Sequence, residues 1–178
     1  LPSLSKKEIS YVNSALKSNW LSIGGKNTKI FEKKFAKFLG IKHALAVQSG
    51  TAAIHLALKA INIKPGDKVI IPNYSCVSSL SATTQCFAKP IIVEIENYTL
   101  GLDFSLVKKA IDKYKPKALQ LVHVYGFPAR DSFKIKKYCN KKKVVLIEDC
   151  SEALGSKLLC GPFHQPLGEF TGHPPTIQ

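Results

Sequence analysis

Four consecutive apolar residues, Val144-Val145-Leu146-Ile147, run straight into Glu148-Asp149 and then into Cys150-Ser151-Glu152-Ala153-Leu154-Gly155. An apolar run of strand length without polar alternation fits a strand covered on both faces, as in a parallel sheet. Carboxylates at the C-terminal end of such a strand lie where open α/β sheets bind ligands. On this segment alone Asp149 has two readings, a cap for the following turn or an acid that faces a ligand.

The rest of the chain repeats the same unit. Short apolar runs at 43–47, 68–71, 90–95 and 118–124 alternate with stretches of helical period. Ser5-Lys6-Lys7-Glu8 has capping-box spacing ahead of Ile9, Val12 and Leu16, which predicts a helix to residue 17. A second helix from Thr28 places Phe31, Phe35, Phe38 and Leu39 on one face and stops at Gly40. Further helices are predicted at 52–61, before Phe87, at 103–114 with Asp103 as cap, and at 131–140. The pattern gives an α/β fold, a three-layer, mostly parallel sheet with helices on both faces. Right-handed crossovers then bring all strand C-termini to one rim. Ser49-Gly50-Thr51, Tyr74 and Cys76, His123, and Asp149 each fall just after a strand. Ser49-Gly50-Thr51 sits between a strand and a helix N-terminus, where unpaired amides and the helix dipole favour an anion such as phosphate. It reads equally as an ordinary N-cap. A histidine placed like His123 is more often structural than chemical.

Composition narrows the classes. The formal net charge of +14 would suit an acidic partner, yet Arg130 is the only arginine. Bidentate base reading favours arginine, so lysines on helix faces such as Lys33, Lys34 and Lys37 read as solvated surface and not as a nucleic-acid stripe. The five cysteines (Cys76, Cys86, Cys139, Cys150, Cys160) form no CxxC pair, which argues against a zinc site or a disulfide framework and for a reducing, cytoplasmic setting. No apolar run approaches the ~20 residues that span a bilayer, and no signal peptide opens the chain. The chain starts at Leu1 and lacks methionine, so it is expected to be a piece of a longer protein. Residues 1–156 read as one domain. The stretch 157–178, with its prolines and scattered histidines, reads as an irregular tail.

Several motifs run in a characteristic order: Trp20-Leu21-Ser22-Ile23-Gly24, Phe31-Glu32-Lys33-Lys34-Phe35, Leu39-Gly40-Ile41-Lys42-His43-Ala44 and Ser49-Gly50-Thr51-Ala52-Ala53. They continue with Pro65-Gly66-Asp67-Lys68-Val69-Ile70-Ile71-Pro72, Val122-His123-Val124-Tyr125-Gly126-Phe127-Pro128-Ala129 and Ile147-Glu148-Asp149-Cys150-Ser151-Glu152-Ala153-Leu154-Gly155. In this order and spacing the chain resembles the N-terminal part of the DegT/StrS-type nucleotide-sugar aminotransferases. These are pyridoxal 5'-phosphate (PLP) enzymes with the large domain of the PLP-dependent transferase fold, incomplete in this chain.

The resemblance implies roles at matching positions. Gly50 and Thr51 match the phosphate cup, and Asp149 matches the acid that pairs with the protonated pyridine nitrogen. Cys76 stands where most members place an aromatic residue stacked on the ring, with Tyr74 as an alternative. Glu152 stands where glutamine or histidine usually approaches the ring hydroxyl. Trp20 and Ser22 fall in the segment used near the substrate sugar and the dimer interface. A nucleotide-sugar substrate, glutamate as amino donor and a homodimer are implied for the full enzyme, with no nucleic acid and no membrane. The family's Schiff-base lysine has no counterpart among these residues, so no catalytic residue is assigned. A sugar 3-dehydratase, which carries histidine in its place, stays open. So do a non-enzymatic regulator on this fold and an inert fragment. The resemblance also implies that the strand at 43–47 pairs with a later strand this chain lacks.

Overall fold

The computed structural model describes residues 3–20, 24–160 and 163–166, with side chains up to residue 156. Two compact units emerge, Leu1–Ala46 and Val47–Gln178.

In the first unit, α1 (Lys6–Lys17) starts at Ser5 with the reciprocal capping box to Glu8 that the spacing predicts. Its apolar stripe of Ile9, Val12 and Leu16 is exposed, and no α1 residue is buried. The second helix, α2 (Lys26–Phe38), begins two residues earlier than expected, with Gly25 at the N-cap position. Ala36 and Leu39 are its buried contacts, and Gly40 takes a left-handed φ of 66° just past the helix end. The predicted strand at 43–47 is extended chain without a ladder. A strand exists only when a neighbour accepts its hydrogen bonds. Here the Ala46 N–H donates to Glu32 Oε1 at 2.9 Å instead.

The second unit carries the sheet. The elements follow in order as α3 (Gly50–Ala60), β1 (Lys68–Pro72), α4 (Ser78–Gln85), β2 (Lys89–Val93) and α5 (Phe104–Tyr114). Then come β3 (Ala118–Val122), α6 (Ser132–Lys142) and β4 (Val145–Asp149). The four strands are parallel in the order β2-β1-β3-β4. Because successive side chains point to opposite faces, each strand feeds two cores. Val69, Ile71, Ala118 and Ile147 pack with Ile54, Ala57 and Leu58 of α3 and Ala82 of α4. Ile70, Leu119, Leu121 and Leu146 pack with Val107, Ala110 and Ile111 of α5 and Ile135 and Cys139 of α6. This is the expected three-layer α/β arrangement.

One further expectation gives way. In the stretch read as irregular, β5 (Lys157–Cys160) and β6 (Phe163–Pro166) pair antiparallel as a two-stranded sheet.

Candidate functional site

All four parallel strands send their C-termini to one rim, so the loops after β1, β3 and β4 lie along it. The alternation along β4 decides which acid belongs to which face. Ile147 faces α3 and α4, so Asp149, two residues on, projects to that same side. Glu148 projects to the opposite side, where its Oε1 lies 3.6 Å from Nε2 of His123 and both groups are buried. The acidic pair is therefore split between the two layers of helices.

Asp149 is half-buried, and its Oδ1 accepts hydrogen bonds from the Ser151 N–H at 3.1 Å and from the Ser151 hydroxyl. One oxygen of this acid thus caps the turn, and Oδ2 accepts no hydrogen bond from the described residues. On the same face, α3 packs against β4 and α4. Ser49 is its N-cap, with the side chain accepting from the Ala52 N–H at 3.2 Å. That leaves the N–H groups of Gly50 and Thr51, the first two helical residues, without an intrahelical acceptor. A Cβ added at Gly50 would meet nothing within 4 Å, so the space over this helix start is open.

Cys76 is exposed at the loop before α4. The backbone and side chain of Ser78 hydrogen-bond its sulfur and lower its thiol pKa, with a smaller opposing push from the negative charge of Asp149. Burial instead pushes the Cys139 and Cys150 thiols up to about 12.

Glu152 is exposed, and its Oε2 accepts from the backbone N–H of Tyr125 at 2.9 Å. Its carboxylate holds the loop after β3. Tyr125 itself was missed by sequence reasoning. It adopts a left-handed φ of 51° and puts its hydroxyl 3.2 Å from that of Tyr74, which comes from the loop after β1. The glycine following it, Gly126 (φ 83°), was the one local hint of a left-handed turn. His123 takes the structural reading. It is 1% exposed, and its Nδ1 accepts from the Ala129 N–H at 2.9 Å, closing the 123–129 loop on itself. Trp20 is exposed in the first unit, and Ser22 lies outside the described residues. Among the described residues, no cluster of three His, Cys, Asp or Glu side chains is placed to hold a metal ion. No described helix is long and apolar enough to cross a membrane.

This rim has the parts a phosphorylated pyridine needs: two free amides at an open helix start and a carboxylate on the same face of the sheet. The model of the DegT/DnrJ/EryC1/StrS aminotransferase family matches residues 2–171. The chain belongs to that family. Among curated relatives, a GDP-perosamine synthase of Vibrio cholerae is 43% identical over 155 residues, covering 87% of this chain and 42% of the relative. One from Escherichia coli O157:H7 is 40% identical, with 88% and 42% covered. The chain therefore spans less than half the length of these DegT-family relatives. Among solved structures, an aminotransferase from Psychrobacter cryohalolentis superposes with a TM-score of 0.77 at 30% identity, covering 86% of this chain and 39% of that one. An E. coli GDP-4-keto-6-deoxy-D-mannose-3-dehydratase with bound hydrated PLP matches at a TM-score of 0.76 and 28% identity, covering 84% and 39%.

Proposed function

We propose that this chain is the cofactor-cradling part of a PLP-dependent aminotransferase that acts on a nucleotide-linked keto-sugar, with glutamate as amino donor. The observation that carries the reading is the placement of Asp149 on the same face and rim as the open N-terminus of α3. When bound, pyridoxal phosphate supplies an electron sink for a carbanion at the amino-bearing carbon. In this reading Asp149 keeps a proton on the ring nitrogen through its free Oδ2, while Ser151 fixes the other oxygen. The amides of Gly50 and Thr51, at the positive end of the α3 dipole, hold the phosphate. Cys76 lies against the ring, where its sulfur packs as a soft apolar group. Trp20 and Ser22 are assigned to the sugar. The substrate class follows the relatives' names. The full protein is proposed to be a cytoplasmic homodimer.

The dehydratase relative supports a second reading, because it matches this chain at nearly the same TM-score as the aminotransferase. The proposed phosphate cup and nitrogen partner would serve either reaction, and neither Asp149 nor the start of α3 separates the two.

Equilibrium dialysis of pyridoxal phosphate against the 178-residue chain tests the cradle. Asp149→Asn is expected to raise Kd by about tenfold or more, equivalent to losing a charge-assisted hydrogen bond of about 1.5–3 kcal/mol. An unchanged Kd in a folded Asp149→Asn variant would remove Asp149 from the cofactor site.

A further inference from the structure

Tyr74 and Tyr125 come from different strand-end loops, yet their hydroxyls meet at 3.2 Å on the ligand rim. Both rings are open to solvent, Tyr74 at 41% and Tyr125 at 64% exposed, so the contact is not a by-product of core packing. Of the two hydroxyl hydrogens, the mutual bond uses one, and the pair presents the other outward. Tyr125 reaches this position only in a left-handed backbone conformation that a non-glycine residue rarely takes (φ 51°, ψ 33°). Such geometry persists where its surroundings enforce it, and it concentrates at ligand sites. Here the enforcing group is Glu152, whose Oε2 accepts the Tyr125 N–H at 2.9 Å. The Ser156 hydroxyl donates to the carbonyl of Gly126 at 2.8 Å and ties down the next residue.

We propose that the Tyr74–Tyr125 hydroxyl pair is a binding subsite for an anionic oxygen of the ligand on this rim, and that Glu152 is the positioning residue that builds it. The inference rests on the reading of the rim as a cofactor and substrate site. It also gives Glu152 a task that the family resemblance does not imply, because one of its carboxylate oxygens holds a backbone amide. The hydrogen bond with the Tyr74 hydroxyl, and to a smaller extent burial and the Glu152 charge, raise the phenol pKa of Tyr125, so its hydroxyl carries a proton at neutral pH. Two sources share this chemistry, the oxygens of pyridoxal phosphate and the diphosphate of a nucleotide sugar.

The test is equilibrium dialysis of the chain with three probes: pyridoxal phosphate, GDP and inorganic phosphate. The variants are Y74F/Y125F, Y125G, which tolerates the left-handed backbone, E152A and E152Q. Near-UV circular dichroism establishes that each is folded. A rise in Kd of threefold or more for at least one probe, in Y74F/Y125F and in Y125G alike, is the expected result. The probe affected identifies the source. E152A should reproduce that loss and E152Q, which keeps an oxygen acceptor, should restore binding. A change below threefold for every probe, or no binding of any probe by the unmodified chain, overturns the subsite. Equal binding by E152A and E152Q overturns the role of Glu152. Loss of GDP or phosphate binding in a chain that never bound pyridoxal phosphate would sustain the subsite while removing the cofactor reading.

Discussion

Asp149 and Glu148 are neighbours in the chain and serve opposite layers of the molecule. Glu148 faces the buried His123, its Oε1 3.6 Å from Nε2, while Oδ2 of Asp149, on the α3–α4 side, accepts no hydrogen bond from the described residues. The same contrast of environment separates the cysteines. Ser78 stabilises the Cys76 thiolate, whereas burial moves Cys139 to about 12. A lowered pKa enlarges the thiolate fraction below the ordinary thiol range, so the difference in reactivity is present at neutral pH and narrows as pH rises. With iodoacetamide at about pH 8, Cys76 should be alkylated first and Cys139 should stay unmodified until the fold is opened. Peptide mapping by mass spectrometry reads the order, and equal rates at the two thiols would count against the electrostatics described. The sequence showed five cysteines without a CxxC pair and no sign of which are buried. Cys86 and Cys139 are buried, and Cys76 is exposed. Its exposure depends on where β1 ends relative to α4, which no local pattern encodes.

At the scale of elements, caps and periods were read with little error. Ser5 and Glu8 cap α1, and Asp103 caps α5 by accepting the Leu106 N–H at 3.0 Å. Their signals are local, three residues apart, and need no partner element. α1 also shows what local signals leave out. With no buried residue of its own, it depends on its capping box and on helix propensity. Ser5→Ala should remove about 1 kcal/mol from α1 alone. Hydrogen exchange at residues 6–17 should speed up, while the thermal midpoint of the sheet-bearing unit stays where it is. A falling midpoint would mean that α1 is coupled to the sheet. The extended segment 43–47 makes the opposite point. Its apolar residues read as a strand, yet Leu45 and Val47 stay exposed, and no strand among the described residues pairs with them. Pairing in a parallel sheet is non-local, and a segment's own sequence cannot supply it.

At the scale of the whole molecule, three acids tie the loops of the sheet-bearing unit together. Burial alone would raise Glu96, but the hydroxyl of Thr99 and the amides of Tyr98, Thr99 and Gly101 outweigh it and hold the carboxyl low. Burial would likewise raise Asp131, and Lys134 and Arg130 reverse the shift. The Ser105 hydroxyl and the Leu106 amide lower Asp103. Groups with folded pKa values below their unfolded ones contribute stability that is present above the unfolded value, about 4 for carboxyls, and lost as pH falls through the folded values. The thermal midpoint should therefore hold level from neutral pH down to about 5 and fall steeply below about 4. A midpoint that rises on acidification would contradict these assignments. The chain's own residues determined the α/β class, the caps, the two-faced strands and the family motifs, because each depends on contacts a few residues apart or on a fixed period. Only the tertiary structure decided which of two adjacent acids lies on the α3–α4 face, that Glu152 holds a backbone amide, and that Tyr74 and Tyr125 share a hydrogen bond across 51 residues of chain. Those outcomes depend on strand register and loop approach, which are set by packing the layers together.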